Sequence, residues 1–273
     1  MLKKRVIPVI LLRNGLIVQS RAFKRYQSIG SPTAAVERLS SWQSDELIYL
    51  DISPSSTYDL NRDDLNHPTF SSIIDIIKLV SKRCQMPLTF GGGIRTIEDV
   101  NFRLKNGADK ITLNSIAIDN IDMITKIANM FGSQCIVVSI DVKKNEKDMP
   151  IVYKRGKEAT NFKPVEFAKM VENAGAGEIL LNSVDLDGSG NGFDLELINE
   201  VAQNIKIPLI ALGGAGNWGH FYEVLSKTKA SAVAAANIFQ HSENSMYSCK
   251  SYLYTQGLPV RKPFELSYIN KNL

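Results

Sequence analysis

Eight short, largely apolar segments recur along this 273-residue chain, and stretches with helical periodicity separate most of them. Runs that stay apolar over roughly four to eight residues, without alternating polar positions, are typical of strands buried on both faces. The pattern therefore predicts a parallel sheet covered by helices. The predicted strands are Arg5–Leu12, Glu46–Ile52, Pro87–Phe90, Lys110–Asn114, Cys135–Asp141, Glu178–Ser183, Pro208–Leu212 and Ser231–Ala236.

The segments between these strands carry the signals of helix ends. Ser31 and Pro32 match a capping residue followed by the first helical position, and Thr96 caps a second helix that Gly107 is placed to end. Eight strand–helix units in a chain of this length fit a closed (β/α)8 barrel, which typically takes about 250 residues. The sequence thus predicts an α/β fold, one TIM barrel over residues 1–262, with a tail over 263–273.

The two halves of the chain are similar to each other. Pro87 and Pro208 each open a predicted strand and precede a glycine cluster, and they stand 208 − 87 = 121 residues apart. The same spacing places the pair Gly92–Gly93 on the pair Gly213–Gly214. Duplicated half-barrels would produce such a repeat, although any eightfold barrel shows weak self-similarity. The predicted halves are residues 1–130 and 131–262.

Composition is that of an ordinary globular protein and excludes several classes of function. Lys and Arg exceed Asp and Glu by only 32 − 28 = 4, and they are dispersed, so no nucleic acid partner is expected. The three cysteines have neither disulfide nor metal-ligand spacing, so no metal or cofactor is predicted and a reducing cytoplasm is the expected compartment. Pro8 and Arg13 interrupt the N-terminal apolar run, which argues against a signal peptide or a membrane span.

Glycine-rich loops follow the third and seventh predicted strands. Gly92–Gly93 lies in FGGGIRT, and Gly213–Gly214 lies in LGGAG, each at the start of a predicted helix. Glycine lets backbone N–H groups approach an anion closely, and the loops after strands seven and eight are the habitual phosphate site of such barrels. One such loop can be a mere tight turn, but two in register predict two phosphate sites on opposite sides of one mouth.

Several longer segments are similar to a known family. The segments PLTFGGGIRTIEDV, FGSQCIVVSID, GAGEILLNSVDLDG and IALGGAGNWGHF resemble HisF, the cyclase subunit of imidazole glycerol phosphate synthase. The resemblance extends from Met1 to about Arg261, nearly the whole chain. It implies a duplicated (β/α)8 barrel that forms a heterodimer with a glutaminase (HisH-like) subunit. Ammonia released there would pass through the barrel and react with a phosphorylated ribonucleotide at the top.

The resemblance also implies two sets of phosphate ligands. The first set is Gly92, Gly93, Asn114 and Ser115. The second set is Asp187, Gly188, Gly213, Gly214, Ala236 and Asn237. One position departs from the family: Leu212 replaces a serine that can contact phosphate, so that hydrogen bond is not expected.

The acid/base residues of the family are only half retained. Asp141, at the end of strand five, is the implied catalytic carboxylate. On strand one, Leu11 stands where the family has its second Asp, while Val9 replaces a Cys and Gln19 replaces a Lys. Leucine neither accepts nor donates a proton, so a mechanism that needs two titratable groups has lost one of them.

The opposite end of the barrel retains all the charges that the resemblance implies. Arg5, Glu46, Lys110 and Glu178 open strands one, two, four and six, and in the family they form the gate of the ammonia passage. A ring of paired charges is also a reasonable structural plug, since buried charges must pair. Asp109, beside Lys110, is expected to face the glutaminase partner.

Three functions remain open on these observations. The first is a diverged subunit that receives ammonia and uses it on a phosphorylated or nucleotide-linked acceptor, as in relatives that help to amidinate acetamido sugars of bacterial surface polysaccharides. The second is an authentic histidine-pathway cyclase in which Asp51 or Asp187 compensates for Leu11. The third is a noncatalytic conduit for ammonia. Such a conduit would not need glycine-rich loops that bind phosphate.

Overall fold

The computed structural model describes residues 2–21, 25–54, 58, 70, 72–240 and 243–264, except for the side chain of Arg21. Its strands are β1 (Arg5–Arg13), β2 (Leu16–Arg21), β3 (Arg25–Gly30), β4 (Leu47–Asp51), β5 (Leu88–Gly91), β6 (Lys110–Leu113), β7 (Ile136–Lys144), β8 (Pro150–Lys154), β9 (Glu158–Ala159), β10 (Glu178–Ser183), β11 (Leu209–Leu212) and β12 (Ala232–Ala235). Its helices are α1 (Pro32–Ser41), α2 (Ile73–Ser81), α3 (Ile97–Lys105), α4 (Ser115–Asp119), α5 (Asp122–Phe131), α6 (Pro164–Asn173), α7 (Leu195–Asn204), α8 (Trp218–Lys227) and α9 (Ser245–Thr255).

Eight of the strands form a closed parallel barrel. The order around it is β1, β4, β5, β6, β7, β10, β11 and β12, and β12 pairs with β1 in the register Arg5 to Ala232. The predicted (β/α)8 class is confirmed, and the predicted strand bounds agree with the observed ones to within one residue, except that β7 extends three residues beyond the predicted end at Asp141. Cys135 belongs to a 3-10 turn before β7 rather than to the strand.

Local hydrogen bonds explain why the helices begin where they do. The Ser31 hydroxyl accepts from the backbone of Ala34 with Pro32 in the first turn, as predicted. Thr96 and Asp99 form a reciprocal capping box at the start of α3. Gly107 follows the end of α3 with φ +112°, a conformation that favours glycine.

Two antiparallel hairpins were not predicted. Strands β2 and β3 extend from the carboxyl end of β1, and strands β8 and β9 extend from the carboxyl end of β7. Strand β3 is mostly exposed and β9 fully so, and they therefore lack the apolar runs by which buried strands are recognised. The hairpins follow the first and fifth barrel strands, which are equivalent positions in the two predicted halves.

The barrel strands bury two separate sets of side chains. The larger set packs outward against the helices, and a smaller set fills the barrel interior. The interior set comprises Ile7, Val9, Ile48, Val137, Leu180, Ile210, Leu212, Ala232 and Ala234, with Leu11, Leu50 and Ala236 packed against it.

The end of the described chain packs beside its beginning. Lys4 forms a parallel bridge with Val260, and the Gln43 side chain exchanges two hydrogen bonds with the backbone of Phe264. Most of the predicted tail, residues 265–273, lies outside the described residues. None of the helices in the described ranges is long and apolar enough to cross a membrane.

Candidate functional site

A closed ring of four charges lies at the amino-terminal end of the barrel strands. The guanidinium of Arg5 contacts Glu46 at 2.5 Å and Glu178 at 2.8 Å, and the ammonium of Lys110 contacts the same two carboxylates at 3.1 and 3.0 Å. Each carboxylate therefore binds both cations. We call these four residues the charged ring.

Burial makes these interactions strong. Glu46 and Glu178 are buried, whereas the side chains of Arg5 and Lys110 are 20% and 18% exposed. Burial alone would lower the pKa of Arg5, but the charges of Glu178 and Glu46 raise it overall. Asp109 is exposed at the same end, where its carboxylate accepts a hydrogen bond from the backbone of Leu88 at 2.8 Å.

Asp141 lies at the opposite end, which we call the mouth. It is 7% exposed, and its two oxygens accept from the side-chain amides of Asn182 (3.1 Å) and Asn114 (3.3 Å). The backbone N–H of Gly156 lies near this carboxyl group and lowers its pKa, as do the two amides. Burial outweighs these three contacts and raises the pKa of Asp141 to about 6. A carboxyl group with such a pKa can give or take a proton near neutral pH.

A second carboxyl group, that of Asp187, lies near Asp141 on the loop after β10. Burial and then the charge of Asp141 raise the pKa of Asp187 to about 6. Asp51 is different, because Ser53 and Tyr58 donate hydrogen bonds to both of its oxygens. Of the two acids considered as replacements at position 11, only Asp187 is therefore placed to interact with Asp141.

The walls of the mouth differ in polarity. Strands β6, β7 and β10 present Asn114, Ser139, Asp141 and Asn182. The wall formed by β11, β12, β1 and β4 presents Leu11, Leu50, Leu212 and Ala236. No cation on this wall compensates Asp141 within the described residues. Leu11, Leu50, Leu212 and Ala236 therefore make this side of the mouth apolar.

The first cradle consists of the predicted ligands Gly92, Gly93, Asn114 and Ser115. A side chain at Gly92 would come within 2.0 Å of the Asp51 carbonyl, so only glycine fits there. In the part of the chain that the structure describes, the backbone N–H of Gly93 donates no hydrogen bond. The Asn114 side chain binds Asp141 and Ser139 instead of facing an open cradle.

The second cradle consists of the predicted ligands on the loops after β10, β11 and β12. A side chain at Gly214 would lie 1.9 Å from the Gly192 carbonyl, and one at Gly213 would lie 2.6 Å from that of Ser183. The Asn237 amide donates to the Ser20 carbonyl at 2.8 Å and so ties the β2–β3 hairpin to this cradle. Asp187, Gly188 and Ala236 complete the set.

Three residues of the site were not predicted. Asn182 binds Asp141, Arg103 donates to the Gly92 carbonyl at 2.8 Å, and Arg155 donates to the Ser115 hydroxyl at 2.9 Å. A signal existed for Asn182, because strands four and six both end in Asn-Ser. Neither arginine belongs to a recognisable motif. Among the described residues, no three His, Cys, Asp or Glu side chains converge to hold a metal ion.

Comparison with known proteins identifies the family. The model of the family described as "Histidine biosynthesis protein" matches residues 5–245. A Vibrio vulnificus protein, provisionally named imidazole glycerol phosphate synthase subunit hisF2, is 41% identical over the whole chain and 96% of its own length. Imidazole glycerol phosphate synthase subunits HisF of Dehalococcoides mccartyi and Geobacillus kaustophilus are 40% and 39% identical over 96% of this chain and 99% and 100% of theirs. The chain therefore belongs to the histidine biosynthesis protein family, as a HisF-like synthase subunit.

Proposed function

We propose that this chain receives ammonia from a HisH-like glutaminase subunit and delivers it through the barrel to a phosphorylated acceptor other than the cyclase substrate. The observation that carries this proposal is the contrast between an intact charged ring and a mouth in which Leu11 leaves Asp141 without an opposing acid. The ring occupies the axis at the end where Asp109 is exposed. A partner docked there would be in position to open it.

The closed ring sets the requirement for transport. Because Glu46 and Glu178 each bind both cations, ammonia enters only if at least one of the four ion pairs separates. Breaking a pair of buried charges without compensation is costly. A charged group of the docked subunit would reduce that cost, which couples opening of the ring to formation of the complex.

Two buried oxygens beyond the ring lack hydrogen-bond partners among the described residues, which favours binding of a polar molecule inside the barrel. Thr112 Oγ1 and Asn182 Oδ1 are buried and have no hydrogen-bond partner among the described residues. Thr112 lies between the outward-packed Ile111 and Leu113, so it points into the barrel, and Asn182 lies beside Asp141. Buried polar atoms are seldom left unpaired. Both oxygens can accept a hydrogen bond from ammonia, whose N–H groups are donors.

The apolar wall supports an acceptor different from that of the cyclase. We propose that the acceptor is an acetamido sugar linked to a nucleotide or lipid carrier. Ammonia nitrogen would replace the acetamido oxygen, which leaves overall as water, to give an acetamidino group. Asp141, with its pKa near 6, can take up the proton that the attacking nitrogen loses. The Leu11 and Leu212 side of the mouth suits a less polar ligand.

The histidine-pathway cyclase remains the second candidate function, and one observation favours it. Asp141 and Asp187 interact, and each has its pKa raised to about 6. Two coupled carboxyl groups could divide acid and base roles. Asp141 lies on β7 and Asp187 on the loop after the neighbouring strand β10, however, so both would act from the same side of the ligand.

Complementation separates these two functions. We expect that the chain does not restore growth without histidine to a strain that lacks its own histidine cyclase. Leu11→Asp is also expected to fail, because Val9, Gln19 and Leu212 remain. A functional HisF subunit expressed from the same plasmid is the positive control. Growth supported by the unmodified chain would establish the cyclase function and overturn the proposal.

Complex formation tests the ammonia source. We expect a 1:1 heterodimer when the chain is co-expressed with the HisH-like glutaminase of the same genome, measured by sizing with light scattering. Asp109→Asn keeps an acceptor oxygen for Leu88 but removes the charge, and we expect about tenfold weaker binding, since charge-assisted contacts contribute roughly 1.5 kcal/mol or more. Asp148→Asn, in the hairpin at the other end, is the matched control. Separate monomers would contradict the proposal.

A further inference from the structure

Arg155 lies over the first cradle. It occupies the turn between β8 and β9, where its backbone N–H donates to Asn114 Oδ1 at 3.0 Å and its Nε donates to Ser115 Oγ at 2.9 Å. Asn114 in turn donates its side-chain N–H to Asp141 at 3.3 Å. Asn114 therefore connects this turn with the acid of the mouth.

The guanidinium of Arg155 retains binding capacity. Its two terminal NH2 groups contact no partner in the part of the chain that the structure describes, and the residue is exposed. Arg155 and Gly156 have φ +54° and +64°, and Lys157 donates its N–H to the Lys154 carbonyl at 3.1 Å, which is the geometry of a tight hairpin turn. Arginine presents its N–H groups in a planar fork that matches phosphate oxygens.

Arg103 lies beneath the same cradle. It is 4% exposed, and it donates to the Gly92 carbonyl at 2.8 Å and to the Asp99 carbonyl at 3.0 Å. Its Nε is buried without a partner among the described residues, and its terminal Nη1 lies 4.0 Å from the carboxylate of Asp99. Burial lowers the pKa of Arg103 although the charges of Asp99 and Asp51 oppose this, so a further anion placed nearby would stabilise the cation.

The second cradle has different surroundings. Within the described residues, no Lys or Arg side chain forms a hydrogen bond with its loops after β10 and β11; in the segment after β12, Arg38 donates to Gln240, three residues beyond the predicted ligand Asn237. Its charged member is Asp187, an acid near a second acid, Asp141. The two predicted phosphate sites are thus electrostatically unequal, although their glycines occupy equivalent positions.

We propose that Arg155 and Arg103 make the first cradle the principal phosphate-binding site of this chain, where it takes the phosphoryl end of the acceptor. Arg155 contacts the phosphoryl oxygens directly with its terminal NH2 groups. Arg103 is a positioning residue, because it holds the Gly92 carbonyl and thereby orients the N–H of Gly93. This inference rests on the proposed function in one respect: the acceptor carries a phosphoryl group.

Titration with inorganic phosphate tests the inference on the full chain. Protein labelled with 15N-glycine reports both cradles in one spectrum, since Gly93 and Gly214 each carry an observable amide. We expect Arg155→Gln to weaken phosphate binding at Gly93 about tenfold, the loss typical of one charge-assisted contact, and to change binding at Gly214 less than twofold. Lys157→Gln, which removes a neighbouring cation from the same turn, should change either dissociation constant less than twofold.

Two further variants test the positioning role of Arg103. Arg103→Met should weaken phosphate binding at Gly93, and Arg103→Lys should restore part of it by keeping the charge. Thermal unfolding of both variants shows whether the fold is retained. If Arg103→Met does not fold, phosphate binding by Arg155→Gln alone decides whether the inference holds. Four outcomes would each overturn the inference. The first two are no response of Gly93 to phosphate and an unaltered dissociation constant at Gly93 in Arg155→Gln. The other two are an equal loss of affinity at Gly214 in Arg155→Gln and an equal loss of affinity at Gly93 in Lys157→Gln. Failure to bind the glutaminase would contradict the proposed function alone, because this titration uses the isolated chain.

Discussion

The charged ring and the mouth are the two ends of one barrel, and they differ in whether their buried charges are paired. At the ring, two cations and two carboxylates compensate one another through four ion pairs. At the mouth, Asp141 and Asp187 share no cation among the described residues, and an apolar wall that includes Leu11 completes the opening.

The charges of the ring are compensated within the protein, whereas those of the mouth are left for a ligand to compensate. The ring needs nothing from outside to be stable, and a change there removes a compensating charge. The mouth holds acids at a cost, because burial raises both pKa values toward neutrality. The ring should therefore be sensitive to loss of charge, whereas the mouth should be sensitive to gain of charge and to pH.

The largest effect is expected in the ring. Lys110→Met leaves Glu46 and Glu178 with Arg5 alone, and we expect the free energy of unfolding to fall by about 3 kcal/mol. Urea denaturation measures this value. Lys227→Met removes an exposed pair with Glu223 and should change stability by less than about 0.5 kcal/mol. Equal losses in the two variants would mean that the ring is an ordinary surface network.

A smaller effect is expected when a charge is added to the mouth. Leu11→Asp places a carboxyl group on the wall that faces Asp141, and we expect it to lower the free energy of unfolding at pH 7 by about 2 kcal/mol. Leu11→Asn separates polarity from charge, since it should cost less than Leu11→Asp at pH 7 and the difference between the two variants should shrink toward pH 5. A cost of Leu11→Asp that does not vary with pH would show that position 11 and Asp141 do not interact.

Removal of an acid should stabilise the mouth at neutral pH. The folded pKa of Asp187 is about 6 and its ordinary value is 3.8, so the folded state binds more protons between these values and stability falls as pH rises through them. Asp187→Asn removes that loss. We expect its stability relative to the parent to increase by about 1 kcal/mol between pH 5 and pH 7, measured by urea denaturation.

The exposed Asp148 provides the control for that measurement. Its φ of +58° suits asparagine as well as aspartate, so Asp148→Asn keeps the backbone conformation. We expect the difference between Asp148→Asn and the parent to stay constant between pH 5 and pH 7. A constant difference for Asp187→Asn as well would contradict the raised pKa at the mouth.

The smallest effect is expected between the two ends. Thr112→Val keeps the shape of the side chain and removes a hydroxyl that has no partner among the described residues, so we expect stability to rise by roughly 0.5 to 1 kcal/mol. Thr228→Val is the control, because that hydroxyl forms hydrogen bonds with Val224 and Ala230 and its loss should destabilise. A loss of stability in Thr112→Val would indicate that water or another guest already pairs with the hydroxyl.

Elements buried on both faces were predictable from the sequence, and elements that lie over the mouth were not. The strand Glu178–Ser183 has an apolar centre, Ile179–Leu181, because helices and the barrel interior cover its two sides, and it was predicted with its observed bounds. The exposed strand β3 has no such constraint, so the sequence contains no periodic signal for it.

The site was predictable where glycine or a shared motif was required and not where long side chains converge in space. The pair Gly92–Gly93 was visible because close backbone approach needs glycine. Arg103 and Arg155 approach the same cradle from a helix and from a distant turn, and nothing local marks either arginine. The sequence did not distinguish Asp51 from Asp187 as the acid that compensates for Leu11. In the structure Tyr58 donates a hydrogen bond to Asp51, which distinguishes the two.

The glycines of the second cradle join two loops at the level of the backbone. Gly192 donates its N–H to the Gly214 carbonyl at 2.8 Å, and a side chain at Gly216 would lie 2.0 Å from the Gly190 carbonyl. Because the two loops are in direct backbone contact, we expect a ligand that displaces the loop after β11 to displace the loop of Asp187 as well. The shape of a bound molecule would then affect the position of this acid.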